Sequence, residues 1–210
     1  MSYFPLYVEL NGKKCAVIGG GAVAFRKVRT LMDYGAFVEI TAPRLEPELE
    51  RFVEENKGNI SVNRREYKDQ DLNGAFLVIA ATNDEVVNRQ IGISCHERKI
   101  AVNVVDDQKT CDFFFPALIK RGEVVVGIST GGKSPTLSRQ LKEQIDEVLP
   151  EYLGEVAEDM IEYRDYVSSK VKSRKNRKLV FEKMLESAYA HQGKLDLNGV
   201  NKIIEEFGGV

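Results

Sequence analysis

Gly19, Gly21 and Ala24 stand in the spacing G-x-G-x-x-A within "CAVIGGGAVAFRK". The first glycine of such a turn permits a tight reversal from strand to helix, the second lets the backbone approach a pyrophosphate, and the small third residue lets the helix pack close to the sheet. The helix opens at Ala22 and Val23, where unpaired backbone N–H groups and the positive end of the helix dipole meet phosphate charge. Gly19, Gly21, Ala22, Val23 and Ala24 are therefore candidate contacts to a dinucleotide. The acid that usually grips the adenosine ribose should follow about 20 residues on. Here the second strand ends Thr41-Ala42-Pro43-Arg44, and Glu39 falls inside the strand. Backbone groups around Pro43, the hydroxyl of Thr41, or Arg44 facing a 2′-phosphate are left to hold the ribose, so spacing alone leaves NAD and NADP both open.

Later strand ends carry further candidates. Thr82 and Asn83 close the run "AFLVIAATND", next to the glycine turn in a doubly wound order, and could hydrogen-bond the cofactor; Asn83 could equally cap the next helix. "AVNVVDD" ends on Asp106 and Asp107 at the carboxyl edge, where ligands of open α/β sheets bind. A carboxylate there serves as a general base if its surroundings raise its pKa, and a neighbouring like charge acts in that direction. "STGGKSPTLSR" is a glycine-rich turn ahead of a capped helix, an anion seat to which Lys133 and Arg139 add positive charge. No H-x-x-x-H or C-x-x-C occurs, so no fixed metal is expected.

These residues need a scaffold, and 210 residues suffice for one large domain with appendages. Thirty basic residues against thirty-two acidic ones, a net charge of −2, exclude broad binding to a nucleic-acid backbone. The basic run Lys170–Lys178 reads as a solvated helix junction rather than a DNA-binding element. No apolar run approaches the ~20 residues that span a bilayer. Three cysteines without framework spacing, and no signal-peptide pattern, fit reduced thiols in a cytoplasmic protein.

The first half alternates strands with helical patterns. The expected strands are "KCAVIGG", "FVEITAP", "ISVNRREY", "AFLVIAAT" and "IAVNVVD"; the expected helices span Ala22–Tyr34, Leu45–Asn56 and Asp84–Arg98. Such alternation predicts an α/β Rossmann-type parallel sheet in the order 3-2-1-4-5. A hairpin follows, with strands near Phe113–Ile119 and Glu123–Ser129, and then a helix capped by Ser134 with Pro135 in its first turn and Leu137, Leu141, Ile145 and Val148 as its apolar stripe. Beyond Glu151 the chain is charged and helical, with breaks near 171–176 and 191–196 and apolar positions that need a partner surface. The expected division is a nucleotide-binding domain over 1–112, a hairpin and helix over 113–149 and a helical domain over 150–210.

The sequence resembles the precorrin-2 dehydrogenases, including the N-terminal part of siroheme synthases. The resemblance runs nearly end to end. It is carried by "FPLYVELNGKKCAVIGGGAVAFRKVRTLMDYGAFVEITAP", "LVIAATNDEVVN", "AVNVVDD" and "DFFFPALIKRGEVVVGISTGGKSPTLSRQLKEQI". It implies NAD-dependent oxidation of precorrin-2 to sirohydrochlorin, Asp106 as the catalytic residue, and a homodimer built by the hairpin and following helix. It also implies that Thr130, Lys133, Ser134 and Arg139 meet the carboxylate-rich substrate. The missing ribose acid is a feature shared with the family. Two other readings compete: a bifunctional enzyme that also inserts Fe²⁺ into sirohydrochlorin, and an NAD(H)-sensing regulatory module.

Overall fold

The computed structural model describes residues 3–209. The chain divides into two compact units between Phe115 and Pro116.

The first unit alternates strand and helix: β1 Lys14–Ile18, α1 Ala22–Met32, β2 Phe37–Thr41, α2 Pro47–Glu55, β3 Ile60–Asn63, β4 Leu77–Ala80, α3 Glu85–Glu97 and β5 Ala101–Val104. The five strands pair in parallel in the order β3-β2-β1-β4-β5, which is the expected doubly wound topology. A strand buried on both faces must be apolar at successive positions, as β1 and β4 are. Cys15 and Val17 turn to one face, where α1 and α2 bury Val28, Leu31, Leu49 and Val53. Ala16 and Ile18 turn to the other, where α3 buries Ile91 and Cys95. Each fully buried Leu or Ile contributes about 1.5–3 kcal/mol. Burial pushes the Cys15 and Cys95 thiols up to about 11, so both act as small hydrophobes.

Several boundaries differ from expectation. The helix expected over Ala22–Tyr34 ends at Met32, and Gly35 follows at φ +72. The one expected from Leu45 starts only at Pro47, because Leu45 packs inward on the core and Pro47 supplies the first-turn φ. β3 stops at Asn63 and is followed by a short 3-10 turn over Asp69–Leu72 that periodicity did not show. The N-cap of α3 is Asp84, not Asn83: the Asp84 carboxylate accepts from the amides of Val86 and Val87.

The second unit opens with a hairpin, β6 Ala117–Arg121 against β7 Val124–Ile128. Its first strand starts four residues later than expected. Pro116 cannot donate to a ladder, and before it Phe113 and Phe115 are drawn onto the first unit's core. Helix α4, Pro135–Val148, runs along the hairpin. Arg121 holds the two together through Asp146 at 2.8 Å. Yet α4 contains no buried residue: Leu137 is 45% and Val148 76% exposed. Helices α5 Leu153–Lys170, α6 Arg174–Ala190 and α7 Leu197–Phe207 break where expected and share a core of Val167, Val180, Met184, Val200 and Ile204. Among the described residues no helix is long and apolar enough to cross a membrane.

Candidate functional site

Three backbone hydrogen bonds carry the ladder past the strand ends. Gly19 N donates to Thr41 O at 3.0 Å, Ala81 N to Ile18 O at 2.8 Å and Val105 N to Ala80 O at 2.9 Å. They bring the glycine turn, the Thr82 turn and the Asp106 turn to one edge of the sheet.

The three glycines there have three different reasons. Gly19 has φ +131, and a Cβ on it would fall 2.1 Å from Ala81 O. Gly20 lies against the loop after β2, where a Cβ would fall 2.2 Å from Arg44 O. Gly21 is the N-cap of α1 at φ −88, a conformation open to any residue, and a Cβ on it would meet nothing within 4 Å. Neither packing nor backbone strain demands glycine at 21. Open space beside a helix N-terminus suits a phosphate drawn close to the main chain, so the turn fits a dinucleotide. The first turn of α1, Ala22 and Val23 included, carries no acid to repel it. Ala24 is fully buried, which lets α1 lie close to the sheet.

At the end of β2, Pro43 and Arg44 are exposed. Thr41 is 1% exposed, which takes its hydroxyl out of reach of a ribose. Glu39 is committed to Lys14 at 2.7 Å and Asn63 at 2.8 Å.

Thr82 is held inside its own turn. Its hydroxyl lies 2.7 Å from Asn88 Oδ1 and accepts from Asp84 N at 3.1 Å. Asn88 also accepts from Thr82 N and donates to Thr82 O, both at 3.0 Å. Asn83 is exposed beside it. Asn88 is not among the residues that the motifs single out. Its signal is a polar side chain in register with the buried Ile91 and Cys95 of α3.

Asp106 projects from the turn after β5 at φ +62, a conformation aspartate tolerates better than most residues. Asp107 belongs to the turn itself. Its carboxylate accepts from Thr110 Oγ1 at 2.7 Å and Lys109 N at 3.2 Å, and these bonds, the Thr110 hydroxyl first, lower its pKa. The loop is pinned back on β5 by Cys111, whose Sγ accepts from Val104 N at 3.2 Å, and by Asn103, which donates to Phe113 O at 3.0 Å. Lys27 reaches the same segment, with its ammonium 4.0 Å from the centroid of the Phe115 ring. Burial first, and then Arg26, lowers its pKa.

In the second unit Thr130, Lys133 and Ser134 share one turn, with Gly131 at φ +64 and Gly132 at φ +78. Thr130 Oγ1 accepts from Ser134 N at 3.1 Å, and Ser134 Oγ caps α4 by accepting from Leu137 N at 3.2 Å. Lys133 and Arg139 are exposed.

A parallel sheet of this order, with a glycine turn left open at a helix N-terminus, defines a doubly wound dinucleotide-binding unit. The chain belongs to the family described as putative NAD(P)-binding, whose model matches residues 6–117. A second family model, sirohaem biosynthesis protein central, matches residues 121–147. Among curated proteins, the siroheme synthase of Zymomonas mobilis is 38% identical over 192 residues, which is 91% of this chain and 40% of that one. The siroheme synthase of Photorhabdus laumondii is 38% identical over 190 residues, covering 90% and 40%. The chain thus spans about two fifths of the length of these relatives. Among solved structures, "SirC, precorrin-2 dehydrogenase" shares the fold at a TM-score of 0.72 and 24% identity, over 98% of each chain.

Proposed function

We propose that the chain is a precorrin-2 dehydrogenase, oxidising precorrin-2 to sirohydrochlorin with NAD, and that it works as a homodimer in the cytoplasm. The observation that carries this reading is the open approach to Gly21 on the same sheet edge as the Asp106 turn. The names of the siroheme synthase relatives and of the SirC neighbour support the choice of substrate.

Gly19, Gly21 and the amides of Ala22 and Val23 would hold the pyrophosphate, with Ala24 setting the depth of the helix. Pro43 and Arg44 would border the ribose with main-chain groups, and Thr82 and Asn83 would form the facing wall. When bound, the cofactor supplies a hydride acceptor. Asp106 takes the proton that oxidation releases, while Asp107 stays committed to its turn. Lys133 and Arg139, with the turn at Thr130 and Ser134, meet substrate carboxylates. The hairpin and α4 form the dimer contact, which gives the exposed Leu137 and Val148 a partner.

Purified protein given precorrin-2 with NAD or with NADP tests this. Sirohydrochlorin and NADH should appear together with NAD, and Asp106→Ala should abolish both. The reading fails if neither cofactor yields sirohydrochlorin, or if Asp106→Ala turns over at the full rate.

A further inference from the structure

A cleft of about 450 Å³ opens between α5 and α6, and none of the residues assigned above lines it. Its floor includes Met160 and Phe181, both packed on the core of the helical module. Its rim carries Arg164 from α5 and Arg174, Arg177 and Lys178 from α6. Lys178 has a carboxylate, Glu182, at 3.6 Å. Among the described residues, the three arginine side chains have no ion pair or hydrogen bond of their own.

This arrangement runs against the chain's own electrostatics. The positive end of a helix favours acidic side chains, yet the first turn of α6 contains none and carries Arg174 and Arg177 instead. One carboxylate, Glu182, lines the cleft, and it pairs with Lys178 rather than with an arginine. On α5, Asp159 is pushed up by burial and by Glu162, Glu155 and Glu158, so these acids crowd one another. Unpaired guanidinium groups around an apolar floor are what an anion with an apolar body would complement. A bare phosphate has no use for Met160 and Phe181. A nucleic-acid backbone needs a longer basic track than a net charge of −2 provides.

We propose that the cleft is a binding site for a small amphipathic polycarboxylate, whose apolar body lies on Met160 and Phe181 and whose carboxylates pair with Arg164, Arg174 and Arg177. The inference does not rest on the dehydrogenase reading, and its readout needs no turnover.

Uroporphyrin, a fluorescent polycarboxylate, is the probe, titrated into the full chain and followed by anisotropy. Because it could also enter the proposed catalytic site, two charge-reversed proteins are compared, R164E/R177E and K133E/R139E. The expected result is a loss of about tenfold or more in affinity in R164E/R177E, with a tight binding class retained in K133E/R139E. Inorganic phosphate should compete only weakly. If R164E/R177E loses its helical circular dichroism, R164Q/R177Q replaces it, with the same loss expected. Unchanged affinity in the folded Arg164/Arg177 variant overturns the site. So does phosphate displacing the probe as effectively as another polycarboxylate, or low-salt self-association without probe binding, which would assign the cleft to a second copy of the chain.

Discussion

The backbone amide of Glu46 donates to the carbonyl of Gly20 at 2.8 Å, so the loop after β2 is tied directly to the glycine turn. That contact explains Gly20 as packing and leaves Gly21 as the position whose glycine serves something outside the protein. The two should therefore separate by experiment. Gly20→Ala forces Arg44 O to move and should cost about 1–3 kcal/mol of stability. Gly21→Ala, at φ −88 with open space around it, should leave the melting temperature unchanged or slightly raised, while NAD affinity falls about tenfold or more. Thermal melts paired with NAD titration check this, and a Gly21→Ala protein with wild-type NAD affinity would remove the phosphate from that turn.

Asn88 clamps the turn after β4 by satisfying the amide, carbonyl and hydroxyl of Thr82 at once. Asn88→Leu keeps the volume and leaves the part-buried amide and carbonyl of Thr82 without this partner. A loss of about 1–3 kcal/mol is expected in urea unfolding, together with a raised KM for NAD. Thr82→Ser, which keeps the hydroxyl, should change neither by much. If Asn88→Leu moves stability and leaves the KM alone, the turn is scaffold and does not face the cofactor.

How much of this was legible follows the range of the interactions involved. The alternation of Cys15 and Val17 with Ala16 and Ile18 to opposite faces is a local property of β1, and with the glycine spacing it was enough to order the sheet. The part of Lys27 was not legible, since its partner is Phe115, far along the chain. The same long-range packing took Phe113 and Phe115 out of the hairpin strand expected near Phe113–Ile119. The spacing singles out Gly19 and Gly21, whereas the packing that demands glycine at 20 comes from the loop after β2, far along the chain.

Asp106 occupies a left-handed turn position that asparagine adopts as readily as aspartate. Asp106→Asn should therefore fold and bind NAD normally while turnover of precorrin-2 drops by about 10²–10⁴-fold. Asp107→Asn should act differently, weakening the turn through Thr110 and Lys109. Single-turnover kinetics on both proteins check the assignment. A larger loss of the chemical step in Asp107→Asn would exchange the two roles.

Acid should destabilise the first unit through Asp71. This carboxylate is 4% exposed, and burial alone would raise its pKa. The opposing effects prevail: Arg65 donates to both of its oxygens, at 2.8 and 2.6 Å, and Lys68 N donates at 2.8 Å, so the pKa lies below its usual range. A folded pKa below the unfolded value of about 3.9 means a contribution that is whole above that value and lost as pH falls through the folded one. Urea midpoints measured downward from neutral pH should fall more steeply below about pH 4 in wild type than in Asp71→Asn. Parallel profiles would deny Asp71 this part.

Helix α4 presents an apolar stripe that its own unit leaves uncovered, with Leu137 45% and Val148 76% exposed and no residue of the helix buried. A helix with so strong a separation of apolar and polar faces ordinarily buries the apolar one, and Arg121 anchors its far end through Asp146 as if to fix the stripe in place. In the proposed dimer the partner's α4 and hairpin cover it. Leu137→Glu and Val148→Glu would place a carboxylate in that contact without disturbing any core residue. Sedimentation velocity should give a dimer for wild type and a monomer, or a dimer weakened by about a hundredfold, for Leu137→Glu. Stability at low concentration should stay near wild type, because the exposed leucine contributes little to its own chain's core. A wild-type monomer throughout the micromolar range, or a Leu137→Glu dimer of unchanged affinity, would move the interface off α4.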